Sequence, residues 1–157
     1  MPEHQKWVNG GKFDGKLLSD KQKQLRTFYA RLLNACTTNE AIQRGGLYDL
    51  QQANQQNPQY DSRKVYAYLR FTDSQQLLIV VNFDADQQKQ IRLKIPSNAF
   101  AAMNLATDKS YQLQDILLSN TSLLAEANEI TDMQSQETGI PLTLAPLGVH
   151  IFTIQAK

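Results

Sequence analysis

Several small groups of residues in this chain have types and spacings that invite a chemical reading. Asp84 and Asp86 in NFDADQ have the alternate spacing of two calcium ligands. A calcium loop of the EF-hand kind needs further oxygens, a glycine and a closing glutamate, and this stretch supplies none of them. A polar turn between strands suits the same residues. Gly10 and Gly11 precede no Gly-Lys-Ser/Thr and follow no strand, so they form no phosphate cradle. Cys36, the single cysteine, makes no internal disulfide and no multi-cysteine metal site. Its place on an apolar helix face suits a buried, inert thiol, and no Gly-x-Ser-x-Gly elbow offers another nucleophile. His150, beside Val149 and Ile151, reads as an exposed or hydrogen-bonded strand residue. No metal ligand set and no cofactor are expected.

The elements that would position such groups begin with a helix. Ser19 and Gln22 fit a capping box, so the helix should start at Asp20. Leu25, Phe28, Tyr29, Leu32, Leu33 and Cys36 recur at helical spacing, and Lys21, Lys23, Arg26 and Arg31 point elsewhere. The result is one apolar stripe on a helix that is marginal alone in water and depends on tertiary packing. TTNEAIQRGG ends it, with Gly45 and Gly46 freeing the chain to turn.

Beyond Gly46 the period becomes alternating. In RKVYAYLRF, Val65, Ala67, Leu69 and Phe71 share one face, and Tyr66, Tyr68 and Arg70 the other. LLIVVNF, Leu77 to Phe83, is apolar on both faces, as a central strand covered on two sides would be. With QIRLKIP, in which Ile91, Leu93 and Ile95 alternate before Pro96, these runs predict a three-strand meander. NAFAAMNL suits a short helical turn and SYQLQDILL a further strand. PLTLAPLGVHIFTIQ suits a closing strand pair or one strand broken at Pro146 and Gly148. Residues 119–139 admit helix, strand or loop. The expected fold class is all-β: an antiparallel β-sandwich of several short strands preceded by one amphipathic α-helix. Its core should include Val65, Leu69, Phe71, Ile79, Val81, Ile91, Leu93 and Ile151.

Length and composition agree with that scale. The 157 residues, 41% hydrophobic, suffice for one domain with an attached element. A net charge of +1 names no nucleic-acid or membrane partner. MPEHQKWVNGG has neither the basic start nor the apolar run of a signal peptide, so the protein is cytoplasmic or these are not its native first residues. Its localisation is otherwise open.

WVNGGKFDG, the capped helix ending LRTFYARLLN, then VYAYLR, LLIVVNF, IRLKIP, YQLQDILL and LTLAPLGVHIFTI together resemble the C-terminal end of bacterial α-amylase-family glycoside hydrolases. The resemblance covers nearly the whole chain. It implies that residues 1–45 are a loop and the last helix of a truncated (β/α)8 catalytic barrel, and that residues 46–157 are the β-sandwich called domain C. It also implies that the chain is not itself an enzyme. Glycoside cleavage in the family takes a nucleophilic carboxylate, a proton-donating acid and a third carboxylate. The Arg-x-Asp, Glu and Asn-His-Asp strand ends that carry them have no match here, and neither His4 nor His150 has such neighbours.

The implied function is a non-catalytic C-terminal domain that stabilises the barrel of an enzyme acting on starch or related α-glucans. An independent sandwich module binding carbohydrate or protein is the alternative. The implied partner is the upstream barrel of the same polypeptide. Without it, the stripe of Leu25, Phe28, Tyr29, Leu32 and Leu33 would favour a homodimer centred on Phe28 and Leu32. The resemblance also sets Trp7, Asn9, Lys12 and Asp14 in a loop on the active-site side, where they are candidate sugar contacts. Packing of Trp7 and Phe13 as loop anchors is the other reading. Tyr48, Tyr60, Tyr66 and Tyr68 offer a second platform, or else tyrosines packed beneath a docked helix.

Overall fold

The computed structural model describes residues 2–117, 129–130 and 137–157. The chain forms two compact units, Met1–Cys36 and Thr37–Lys157.

The first unit holds α1 (Glu3–Val8), a 3-10 turn at Asn9–Gly11, and most of α2 (Asp20–Thr38). The helix starts at Asp20 for the reason its sequence gives. The Ser19 amide donates to Gln22 Oε1 at 2.9 Å, and the Gln22 amide donates to Ser19 Oγ at 3.4 Å. Two amides without intrahelical partners are thereby satisfied reciprocally.

The second unit adds the short helices α3 (Glu40–Arg44), α4 (Gln51–Asn54) and α5 (Ser97–Ala102). Its strands are β1 (Gly46–Asp49), β2 (Val65–Phe71), β3 (Gln76–Asn82), β4 (Lys89–Leu93), β5 (Tyr111–Asp115), β6 (Glu129–Ile130), β7 (Ile140–Leu144) and β8 (Val149–Ala156). They make a six-stranded sheet, ordered β1-β2-β3-β8-β5-β6, and a two-stranded sheet of β4 and β7, with every pairing antiparallel. The short helical turn expected in NAFAAMNL is α5, while α1, α3 and α4 are helical segments beyond those expected.

The core lies between the sheets. Val65, Ala67 and Leu69 of β2, Leu78 and Val80 of β3, and Phe152 and Ile154 of β8 form one cluster with Ile91 and Leu93 of β4 and Leu142 and Leu144 of β7. Branched side chains alternating on a pleated surface fill such a layer. Each contributes about 1.5–3 kcal/mol when fully buried. Leu77, Ile79 and Ile151, on the opposite face of the large sheet, are also buried, so β3 is covered on both sides as its unbroken apolar run requires. Of the expected core, Phe71 and Val81 are only half-buried.

Two pairings differ from expectation. β4 does not continue a meander with β3. The edges of β3 are taken by β2 and β8, with Ile79 opposite both Tyr68 and Ile151. The chain leaves the sheet at Asn82, whose Nδ2 donates to Gln87 O at 3.0 Å and to Ala145 O at 2.9 Å. β7 and β8 are neither a hairpin nor one broken strand, because they belong to different sheets. A tight turn separates them, with Gly148 N donating to Ala145 O at 2.9 Å and Leu147 at a φ of 52°. Pro141 is tolerated in β7 because a two-stranded sheet consists only of edge strands. The open stretch 119–139 lies largely outside the described residues.

Candidate functional site

The loop between α1 and α2 is built by left-handed backbone. Asn9 closes α1 at a φ of 44°, and Gly10, Gly11, Phe13 and Gly15 follow at 65°, 92°, 52° and 64°. Glycine accepts this region freely and phenylalanine does not. Backbone bonds hold the path, with Phe13 N donating to Val8 O at 3.0 Å and Gly15 N to Trp7 O at 3.3 Å. Side chains brace it. Asp14 Oδ1 accepts Asn9 Nδ2 at 2.7 Å and the Lys16 amide at 3.1 Å. Those donors, the Lys16 amide first and Asn9 next, hold the Asp14 carboxyl below its usual range.

Within this frame the sequence-derived candidates separate. Trp7 is half-buried, and the Arg26 guanidinium lies 4.1 Å from its ring centroid in a cation–π contact. Gly15 presses against the same ring: a Cβ there would meet Trp7 Cε3 and Cζ3 at 2.7 Å. Lys12 and Asp14 are exposed, and Asn9 is half-buried beside Asp14. Phe13, expected to pack together with Trp7, is 60% exposed. Sequence reasoning missed Arg26 as the partner of Trp7. The one available signal was glycine density, because Gly15 stands where a ring leaves no room for a side chain.

Glu3 accepts from Lys6 Nζ at 2.9 Å within α1 and ties α1 to α2 by accepting from Gln22 Nε2. Along α2 the apolar residues divide into two rows. Leu25, Tyr29 and Leu33 are 57%, 53% and 61% exposed. Phe28 and Leu32 are half-buried, Cys36 is half-buried rather than buried, and Ala35 is buried. Residues four apart drift slowly round a helix, so one broad stripe contains both rows.

The sandwich carries no assembled reaction centre among its described residues. Asp84 Oδ1 accepts the Asp86 and Gln87 amides, both at 3.1 Å, and its Oδ2 faces Lys89 Nζ at 3.1 Å. Its oxygens shape a turn. His150 is buried on the inner face, with Nδ1 2.7 Å from Asp115 Oδ2 and its ring stacked on Phe152. It is therefore the hydrogen-bonded strand residue, not the exposed one. The four tyrosines do not share a platform. Tyr60 is in the core, bonded to Val65 O at 3.1 Å, and Tyr48 donates to Asn98 Oδ1 at 2.8 Å, while Tyr66 and Tyr68 pair on the other face of β2 with ring centroids 5.5 Å apart. Two shallow hollows, one beside Glu40, Gln76 and Gln155 and one beside Gln59, Arg63 and Lys89, are polar and open.

An unequal pair of antiparallel sheets closed round one core defines an all-β domain. The sequence matches the family described as alpha amylase, C-terminal all-beta domain, over residues 57–155, and the chain belongs to that family. Among solved structures it is similar to AmyP, crystallised with maltose, at 17% identity and a TM-score of 0.58, covering 91% of this chain and 22% of that one. It is also similar to the trehalulose synthase MutB from Pseudomonas mesoacidophila MX-45, at 22% identity and a TM-score of 0.50, covering 82% of this chain and 17% of that one. The chain thus spans about a fifth of the length of these relatives. No curated protein matches the sequence.

Proposed function

We propose that this chain is the non-catalytic C-terminal part of an α-amylase-like glycoside hydrolase acting on starch or related α-glucans, and that it stabilises the catalytic barrel. In this reading residues 1–45 supply the last barrel loop and helix, and residues 46–157 are the sandwich. The observation that carries it is the exposed row Leu25, Tyr29 and Leu33 on a well-capped helix. Apolar rows of this kind are buried in finished domains, and the next helix and strands of a barrel would bury this one. Maltose in the AmyP crystal supports an α-glucoside as the substrate class. The loop holding Trp7, Asn9, Lys12 and Asp14 would then border the substrate cleft.

The test is the coding sequence upstream of Met1 together with an activity assay. A reading frame that continues into barrel strands bearing three carboxylates is expected, as is a purified chain that releases no reducing sugar from soluble starch. A stop codon just upstream favours the independent binding module. Hydrolysis by the chain alone overturns the accessory role.

A further inference from the structure

We propose that Phe13 is the residue of this loop that stacks on a glucosyl ring, while Trp7 supports the loop from within. The inference rests on the glucan reading above and names the contact within it. Trp7 is already engaged by Arg26 at 4.1 Å and by the backbone of Gly15, so its ring is committed to packing inside the unit. Phe13 has the opposite character. The residue is 60% exposed, and its backbone sits at a φ of 52°, where a large side chain is disfavoured. Both features cost stability. A backbone outlier held by its surroundings, and presenting an apolar ring to water, marks a residue positioned for something outside its own fold.

The surroundings of Phe13 are determined on both sides. Its amide is bonded to Val8 O, and the next residue, Asp14, is fixed by Asn9 and by the Lys16 amide. Lys12 and Asp14, its neighbours in the chain, are both exposed, one cationic and one anionic. An exposed apolar ring with chain neighbours of both signs, Asp14 held by Asn9 and the Lys16 amide, suits a neutral polyhydroxylated ring, whose C–H face stacks while its hydroxyls find a donor and an acceptor. It suits an anionic ligand poorly, because Asp14 is ionised.

The experiment uses the 157-residue chain. Maltoheptaose is titrated at millimolar concentration while the aromatic NMR signals are followed and intermolecular NOEs are recorded. Sugar protons are expected to show NOEs to the Phe13 ring and none to the Trp7 indole. Phe13→Ala should weaken binding about five- to tenfold, in line with loss of one aromatic contact, and Phe13→Tyr should restore it. NOEs to Trp7 instead, unchanged binding by Phe13→Ala, or no binding by the wild type each overturn the inference. The two readings fail separately. A barrel encoded upstream with a silent Phe13 overturns this inference alone, and a stop codon upstream with Phe13 NOEs intact overturns the barrel reading alone.

Discussion

Asn54 grips Lys94 by both of its backbone groups: Asn54 Oδ1 accepts the Lys94 amide at 2.9 Å, and Asn54 Nδ2 donates to the Lys94 carbonyl at 2.8 Å. A side chain thus imitates one rung of a β ladder at the outer edge of the smaller sheet. Asn57 Nδ2 donates to Arg92 O at 2.7 Å, and the Arg92 amide donates to Gln59 O at 2.9 Å, so the imitation extends along β4. An edge that would otherwise invite another strand is closed from within.

Replacing Asn54, which is fully buried, leaves the two Lys94 groups without this partner. Asn54→Ala should destabilise the protein by about 2–4 kcal/mol, the cost of stranding two polar groups away from water. Asn54→Asp should be no milder, because it turns an oxygen toward the Lys94 carbonyl. Urea unfolding curves measure both, and a loss below about 0.5 kcal/mol would fall in the range of ordinary surface substitutions and refute the edge role.

Acid should weaken the turn after β3. The Asp84 carboxyl is drawn down to about 2 from an ordinary 3.8, by the Asp86 amide first and by Lys89 next. Burial pushes Asp61 up, but Lys89 and the Arg63 amide outweigh it and leave its carboxyl lowered. A carboxyl lowered by folding contributes stability that is present above its unfolded value and lost as pH falls through its folded one. Unfolding midpoints should therefore decline from about pH 4 toward pH 2, and Asp84→Asn should be less stable at pH 7 with a flatter acid limb. Parallel acid limbs for the two proteins would contradict this.

Helix α3 is held at both ends by the β2–β3 hairpin. Arg70 Nε donates to Ala41 O at 3.0 Å and its Nη2 to Ile42 O at 2.9 Å, while Gln75 Oε1 accepts the Ala41 amide at 3.0 Å. A guanidinium on the last carbonyls of a helix is well placed electrostatically. Arg70→Ala should cost about 1.5–3 kcal/mol and speed amide exchange across residues 40–44 while β3 stays protected. Exchange unchanged in α3 would show that the clamp is idle.

The exposed row on α2 should govern association of the isolated chain. Three side chains worth about 1.5–3 kcal/mol each when buried favour a two-fold contact centred on Tyr29, displaced from the Phe28 and Leu32 centre that the sequence suggested. Sedimentation velocity should show a concentration-dependent dimer, with Tyr29→Asp monomeric. A wild type that stays monomeric at every concentration would rule the contact out.

What was legible in the sequence was local. The Ser19–Gln22 box set the helix start to the residue, and the alternation of Val65–Phe71 set both a strand and its buried face. Fold class was also readable, because turn residues punctuate nearly every run. What escaped depended on distant partners. Ile91 and Leu93 advertise a strand without saying that Leu142 and Ile140 lie opposite them. Nothing near His150 announces Asp115, and nothing near Trp7 announces Arg26. Helical periodicity found the apolar residues of α2 but does not divide two adjacent rows into covered and uncovered.

The order of the large sheet also bears on how the domain is made. β8, the last strand in the sequence, lies in the middle of that sheet, with β3 on one side and β5 on the other. On the ribosome, every earlier strand emerges before the one that joins them. The hairpin of β2 and β3 can form early, but the edge of β3 that β8 will occupy stays open until Val149–Ala156 has emerged. Closure of the sandwich therefore waits on β8, and a nascent chain stalled before Val149 would present that bare edge to its neighbours on the same message.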